Sequence, residues 1–176
     1  MGGHVIRLLV QRRAVVIASD LNHDKVEEAV RAGAARMVDP SDALGTPADI
    51  LCPCGLGGIL TQDAVVDLNF EIIVGGANNQ LATPEVAGTL AAAGTLYVPD
   101  FLANAGGIIN IADEANGYDH ARALQAVGRI RETTTAVLGR AEARGITPVA
   151  AAEDLVAERL DAARKPAPSH MHTKGR

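Results

Sequence analysis

The sequence predicts an α/β protein: a doubly wound, mostly parallel sheet that lacks its first strand, followed by C-terminal helices. Three observations carry this. Short β-branched runs alternate with longer helical stretches as far as Phe101, the pattern of strands joined by right-handed helical crossovers. Glycine- or asparagine-rich turns follow three of those strands. Beyond Phe101 the strand pattern stops and the rest reads as helix. With 176 residues, 48% apolar and 21% charged, the chain can bury one core and is too apolar for disorder. One domain over residues 1–165 is expected, with residues 166–176 a frayed tail.

The expected strands are Val15–Ser19, Ala35–Val38, Asp49–Cys52, Glu71–Val74 and Thr95–Val98. Together they read as apolar runs, as in a sheet covered on both faces. Gly3–Arg12, Asp24–Ala32, Thr61–Leu68 and Pro84–Ala93 read as the intervening helices. Gly33 stands just past the second, where a left-handed residue suits glycine. Thr83-Pro84-Glu85 supplies an N-cap, a first-turn proline and a first-turn acid, and Thr147-Pro148 repeats the device before Val149–Arg164. His120–Arg144 carries apolar residues on one helical face. Trp is absent and the aromatics are Phe70, Tyr97, Phe101 and Tyr118, so a core of Ala, Val, Ile and Leu is expected.

Charge and composition exclude several function classes. A net charge of −5 argues against a nucleic-acid partner. No apolar run reaches the ~20 residues of a membrane helix, and no signal-peptide pattern opens the sequence, so no membrane association and a cytoplasmic location are expected. Cys52 and Cys54 have the wrong spacing for a C-x-x-C redox or zinc site. They read as reduced thiols, and no metal site is expected. The lysines Lys25, Lys165 and Lys174 lie on a helix surface or near the end, so no catalytic residue is expected within this chain.

The stretch Gly2 to Asp20 carries the strongest local signal. A dinucleotide-binding unit runs strand, G-x-G-x-x-G, helix, second strand, then an acid about 20 positions on. Here the helix, the second strand and Asp20 are present, and Gly2 stands 18 residues before Asp20. That spacing suits the third glycine of a Rossmann-like fingerprint, so the chain is expected to begin inside its own motif. Asp20 reads as a ribose-binding carboxylate that favours NAD over NADP, or as a turn acid. Later, Cys52-Pro53-Cys54-Gly55-Leu56-Gly57-Gly58, Gly75-Gly76-Ala77-Asn78-Asn79-Gln80-Leu81 and Pro99–Gly107 each follow a strand, at the sheet edge where ligands bind in such folds.

The phrases PCGLGG, GGANNQLA and LYVPDFLANAGGIINIADE resemble the NAD-binding domain of the Glu/Leu/Phe/Val dehydrogenases, most nearly the leucine and valine enzymes. The resemblance covers Gly2 to about Arg164. It implies reversible, NAD-dependent oxidative deamination of a branched-chain L-amino acid to its 2-oxo acid. It also implies catalytic groups on a missing N-terminal domain, and a homo-oligomer when complete. This chain alone is then expected to be inactive. Residue by residue, the resemblance gives Gly2 to the pyrophosphate turn and Asp20 to the adenine ribose. Cys54, Gly55 and Leu56 fall to the adenosine side, Ala77, Asn78 and Asn79 to the nicotinamide, with Asn79 also facing substrate. Ile108 and Ile111 fall to the substrate side-chain pocket, and i, i+3 spacing sets them on one helix face. Their alternative reading is core packing. The alternative functions are a non-catalytic remnant or subunit, or a phenylalanine or glutamate dehydrogenase.

Overall fold

The computed structural model describes residues 1–115 and 117–164. The expected tail, residues 166–176, lies outside the described residues. Helix α1 (Gly2–Gln11) leads into β1 (Ile17–Ala18), α2 (His23–Arg31), β2 (Arg36–Met37), β3 (Ile50–Leu51) and β4 (Ile72–Ile73). Then come α3 (Val86–Ala92), β5 (Leu96–Tyr97) and the helices α4 (Asp100–Ala103), α5 (Gly106–Glu114), α6 (His120–Gly128), α7 (Ile130–Arg144) and α8 (Pro148–Arg164). Every strand pair is parallel, and the strands form two sheets, β1-β2 and β3-β4-β5. Among the described residues, β1 and β3 each pair along one edge only. The fold class is the one the sequence predicts, and among the described residues no strand joins the two sheets.

Local chemistry explains most boundaries. Asn22 caps α2 by accepting from the Asp24 amide at 2.9 Å, and Gly33 adopts φ 103° just beyond that helix, as expected. The Thr147 hydroxyl accepts from the Ala150 amide at 3.2 Å and starts α8. The strands are shorter than the apolar runs suggest, although ladder bonds such as Ala35 N–H to Val16 O (2.8 Å) and Val98 N–H to Ile73 O (2.9 Å) extend beyond them.

Several expectations are corrected. Thr61–Leu68 is not a helix: Val65 donates to Thr61 O, the Thr61 hydroxyl accepts from the Ala64 amide, and successive turns follow. Adjacent Val65 and Val66 are poor helix formers, and burial of Val65 fixes the segment by tertiary packing instead. Pro84–Ala93 begins later, because Val86 and Ala87 donate three residues back, to Thr83 and Pro84, in tight turns. His120–Arg144 is two helices. Gly128, the weakest helix former in the run, precedes Arg129, whose amide bonds to Ala126 O. Finally, the core is not purely aliphatic: Phe70 and Tyr97 join Leu60, Val65, Ile73, Val86 and Leu90 beneath the larger sheet.

A second cluster, Leu102, Val137, Ala141, Ala151 and Ala152, packs α4 against α7 and α8. Small alanines let α7 and α8 approach closely. Arg140–Glu158 (2.7 Å) and Arg144–Asp154 (2.9 Å) span their outer faces. The smaller sheet is not covered on both faces as expected: neither β1 nor β2 contains a buried residue.

Candidate functional site

The carboxyl ends of β3 and β4 converge because two glycines let backbone meet backbone. At Gly75, a Cβ would collide with the carbonyl and ring of Pro53. At Gly57, one would lie 2.5 Å from Asn78 O and 2.7 Å from Asn79 O. Neither position admits a side chain. The approach is fastened by Ala77 N–H to Pro53 O (2.9 Å), Gly58 N–H to Asn79 O (2.7 Å) and the parallel bridge between Leu60 and Leu81.

This crossing presents a polar cluster. Asn79 adopts φ 52°, a left-handed conformation that asparagine tolerates better than most residues. Its amide donates to Asp100 Oδ2 at 2.5 Å. Asp100 Oδ1 accepts from the Tyr97 hydroxyl at 3.1 Å. Burial pushes the Tyr97 phenol well above its ordinary pKa, and the Asp100 charge adds to that, so it stays a donor. Asn104 Nδ2 donates to Asn78 Oδ1 at 2.8 Å. Ala77 is buried, with its carbonyl accepting from Gln80 Nε2. Asn78 and Asn79 are exposed. Asp100, Asn104, Tyr97 and Gln80 were not singled out from sequence. The one signal for Asp100 was an acid in the first helical turn after a strand.

The other expected residues fall into three places. Gly2 begins α1, and a Cβ there would contact Cys54 Cβ at 3.6 Å. The α1 N-terminus therefore abuts the end of β3. Gly55 and Leu56 are exposed just beyond, Leu56 at 83%. Asp20 follows β1, and its Oδ1 accepts from the Asn22 amide at 2.9 Å, which realises the turn-acid reading. Among the described residues its second oxygen has no partner. Asp20, Val26, Met37, Val38 and Asp39 help to line an open cleft of about 590 Å³. Ile108 and Ile111 lie on α5 with 65% and 61% of their surface exposed. Among the described residues neither is packed into a core.

A sequence profile described as glutamate/leucine/phenylalanine/valine dehydrogenase matches residues 6–165. The chain belongs to this family. It is 40% identical over 167 residues to valine dehydrogenase of Streptomyces coelicolor, covering 93% of this chain and 46% of that protein. It is 36% identical over 162 residues to leucine dehydrogenase of Geobacillus stearothermophilus, covering 92% and 44%. Among solved structures it is similar to L-tryptophan dehydrogenase from Nostoc punctiforme, with a TM-score of 0.87 and 36% identity, covering 92% of this chain and 49% of that one. The chain thus spans about half the length of the family members it matches. No helix among the described residues is long and apolar enough to cross a membrane.

The donors and acceptors fit a dinucleotide. The α1 N-terminus leaves the Gly3 amide without a side-chain cap or backbone acceptor, as an anion-binding terminus requires. The Ser19 hydroxyl is buried without a partner beside Asp20, and Asp20 keeps one free acceptor oxygen. The exposed Asn78 and Asn79 side chains offer uncharged amides of the kind a carboxamide pairs with.

Proposed function

We propose that this chain is the NAD-binding half of a branched-chain L-amino-acid dehydrogenase. The reaction is the reversible oxidative deamination of L-valine or L-leucine to the 2-oxo acid and ammonia. The polar crossing at β3, β4 and β5 carries the reading, supported by relatives that act on leucine and valine. Gly2 and the α1 N-terminus would take the pyrophosphate, Asp20 the adenine ribose, and Cys54, Gly55 and Leu56 the adenosine side. Ala77, Asn78 and Asn79 would flank the nicotinamide. When bound, NAD supplies the acceptor for the substrate hydride. The protein's share here is orientation: Asp100 fixes the Asn79 backbone, and Asn104 fixes the Asn78 amide. Placement of two reactants is a large part of such a rate enhancement.

In this reading a preceding segment contributes the catalytic groups and a central strand between β1 and β3, and the whole enzyme is a cytoplasmic homo-oligomer. The exposure of Ile108 and Ile111 suits this arrangement, because an apolar pair on α5 is free to form the wall of a substrate pocket. Two branched aliphatic side chains there favour a branched aliphatic substrate. The L-tryptophan dehydrogenase relative is 36% identical, as is the leucine enzyme, so overall identity does not choose between substrates and the pocket residues do.

The test is cofactor choice in a chimera joining this chain to the N-terminal half of the Streptomyces valine dehydrogenase. The parent chimera should prefer NAD, because the Asp20 carboxylate accepts from ribose hydroxyls and repels a 2′-phosphate. Asp20→Ser should narrow that preference by about tenfold or more, the scale of one lost charge-assisted contact. Equal use of NAD and NADP by the parent, or an unmoved ratio in the variant, would contradict the assignment.

A further inference from the structure

Cys52 and Cys54 leave the end of β3 on either side of Pro53, and residues two apart on an extended chain project to the same side. Their Sγ atoms lie 3.8 Å apart, within hydrogen-bonding reach for sulfur, and neither is in a disulfide. Both residues are half-buried. The backbone between them is held from the opposite direction, since Pro53 is buried and its carbonyl accepts from Ala77. A disulfide needs the sulfurs at about 2.05 Å and the Cβ atoms at about 3.8 Å, so closure from an Sγ separation of 3.8 Å requires side-chain rotation together with an adjustment of the backbone at Pro53.

The two thiols are not equivalent. Cys54 lies at the α1 N-terminus, against Gly2. The hydrogen bond from Cys52, with smaller help from Gly76 and the terminal ammonium, lowers the Cys54 pKa to about 6 despite desolvation. Cys52 moves the other way, because it donates to Cys54 and is desolvated. One sulfur is poised as the nucleophile and its neighbour as the resolving thiol.

We infer that Cys52 and Cys54 form a redox-modifiable dithiol that a small hydroperoxide closes to an intramolecular disulfide. The Cys54 thiolate attacks the terminal peroxide oxygen. An S–O bond forms, the O–O bond breaks, and the departing alkoxide or hydroxide is protonated. Cys52 sulfur then attacks Cys54 Sγ. The S–S bond forms, the S–O bond breaks, and hydroxide leaves with the Cys52 proton as water. The peroxide gains two electrons and the thiol pair loses them. This inference does not depend on the nucleotide reading.

The purified full chain is treated with one equivalent of hydrogen peroxide, denatured, alkylated with a maleimide and weighed. The expected product has lost the mass of two hydrogens, takes up no maleimide, stays monomeric, and recovers both thiols with dithiothreitol. Cys52→Ser should stop at a sulfenic acid that dimedone traps. Cys54→Ser should consume peroxide about tenfold more slowly than the parent, as loss of the more ionised thiol requires. Sulfinic acid on one cysteine with the other still alkylated, a disulfide-linked dimer, or unreacted thiols would each overturn the inference. A Cys54→Ser variant as fast as the parent would do the same.

Discussion

Asp100 uses both carboxylate oxygens on the site, one on the Asn79 amide and one on the Tyr97 hydroxyl. It touches no proposed reactant and acts by positioning Asn79, whose φ of 52° is held by that bond. Asp100→Ala should destabilise the chain by about 2 kcal/mol, because a buried hydroxyl and a strained amide lose their acceptor. In the chimera it should lower kcat more than it raises KM, and Asp100→Asn, which keeps one acceptor oxygen, should recover part of the loss. Equal changes in both constants with no recovery would mark a merely structural role. Ile108 makes the opposite forecast. With 65% of its surface exposed, Ile108→Ala should leave stability within about 0.5 kcal/mol of the parent. The same change should shift relative kcat/KM from valine toward phenylalanine by about tenfold. A fall in melting temperature at constant substrate ratio would return Ile108 to packing. Both isoleucines enter through the family resemblance, counted from Gly106-Gly107, whereas nothing in the sequence points to the role of Asp100. Its role depends on a backbone amide 21 positions away, and no local pattern encodes such a partner.

Among the elements, the connection from α5 to α6 is pinned by charge. The Arg122 guanidinium lies on Asp113 and also donates to Gly117 O, while the Asp119 amide donates to the second Asp113 oxygen. The hydrogen bond from Arg122, then that from Asp119, holds the Asp113 carboxyl below its ordinary range. A lowered folded pKa stabilises the native state above the unfolded value, about 4, and that contribution is lost as pH falls through the folded value. Amide exchange protection across α5 and α6 should therefore hold from neutral pH to about 4 and drop below it. Arg122→Ala should lose protection at neutral pH and flatten the acid step. An unchanged acid step in the variant would show that another group governs it. Element existence was largely readable from periodicity and punctuation: Gly33 and Thr147 act locally and signal locally. The misread elements are those where context won. Val65 is locked by core burial into a run of turns, and Gly128 interrupts a face whose apolar spacing continues through it.

At the scale of the molecule, the division into β1-β2 and β3-β4-β5 joins the fold to the proposed function. Parallel strands with open edges sit where a central strand would pair with both, and half of Ile50 on β3 is exposed. This organisation was legible because the motif around Gly2 and Asp20 has a fixed order of parts. The crossing at Gly57 and Gly75 was legible only as small residues. Their spacing suggested room for a cofactor, whereas at these two positions they make room for neighbouring backbone. The chain alone should yield no amino-acid-dependent NADH, since none of the proposed catalytic groups lies in it. The most direct measurement is NADH formation by the chimera with L-valine or L-leucine, after a single cooperative melt has shown that it folds. The account predicts turnover with both branched substrates and NAD, from a chain that is silent by itself. A folded chimera that binds NAD yet turns over neither amino acid would contradict it.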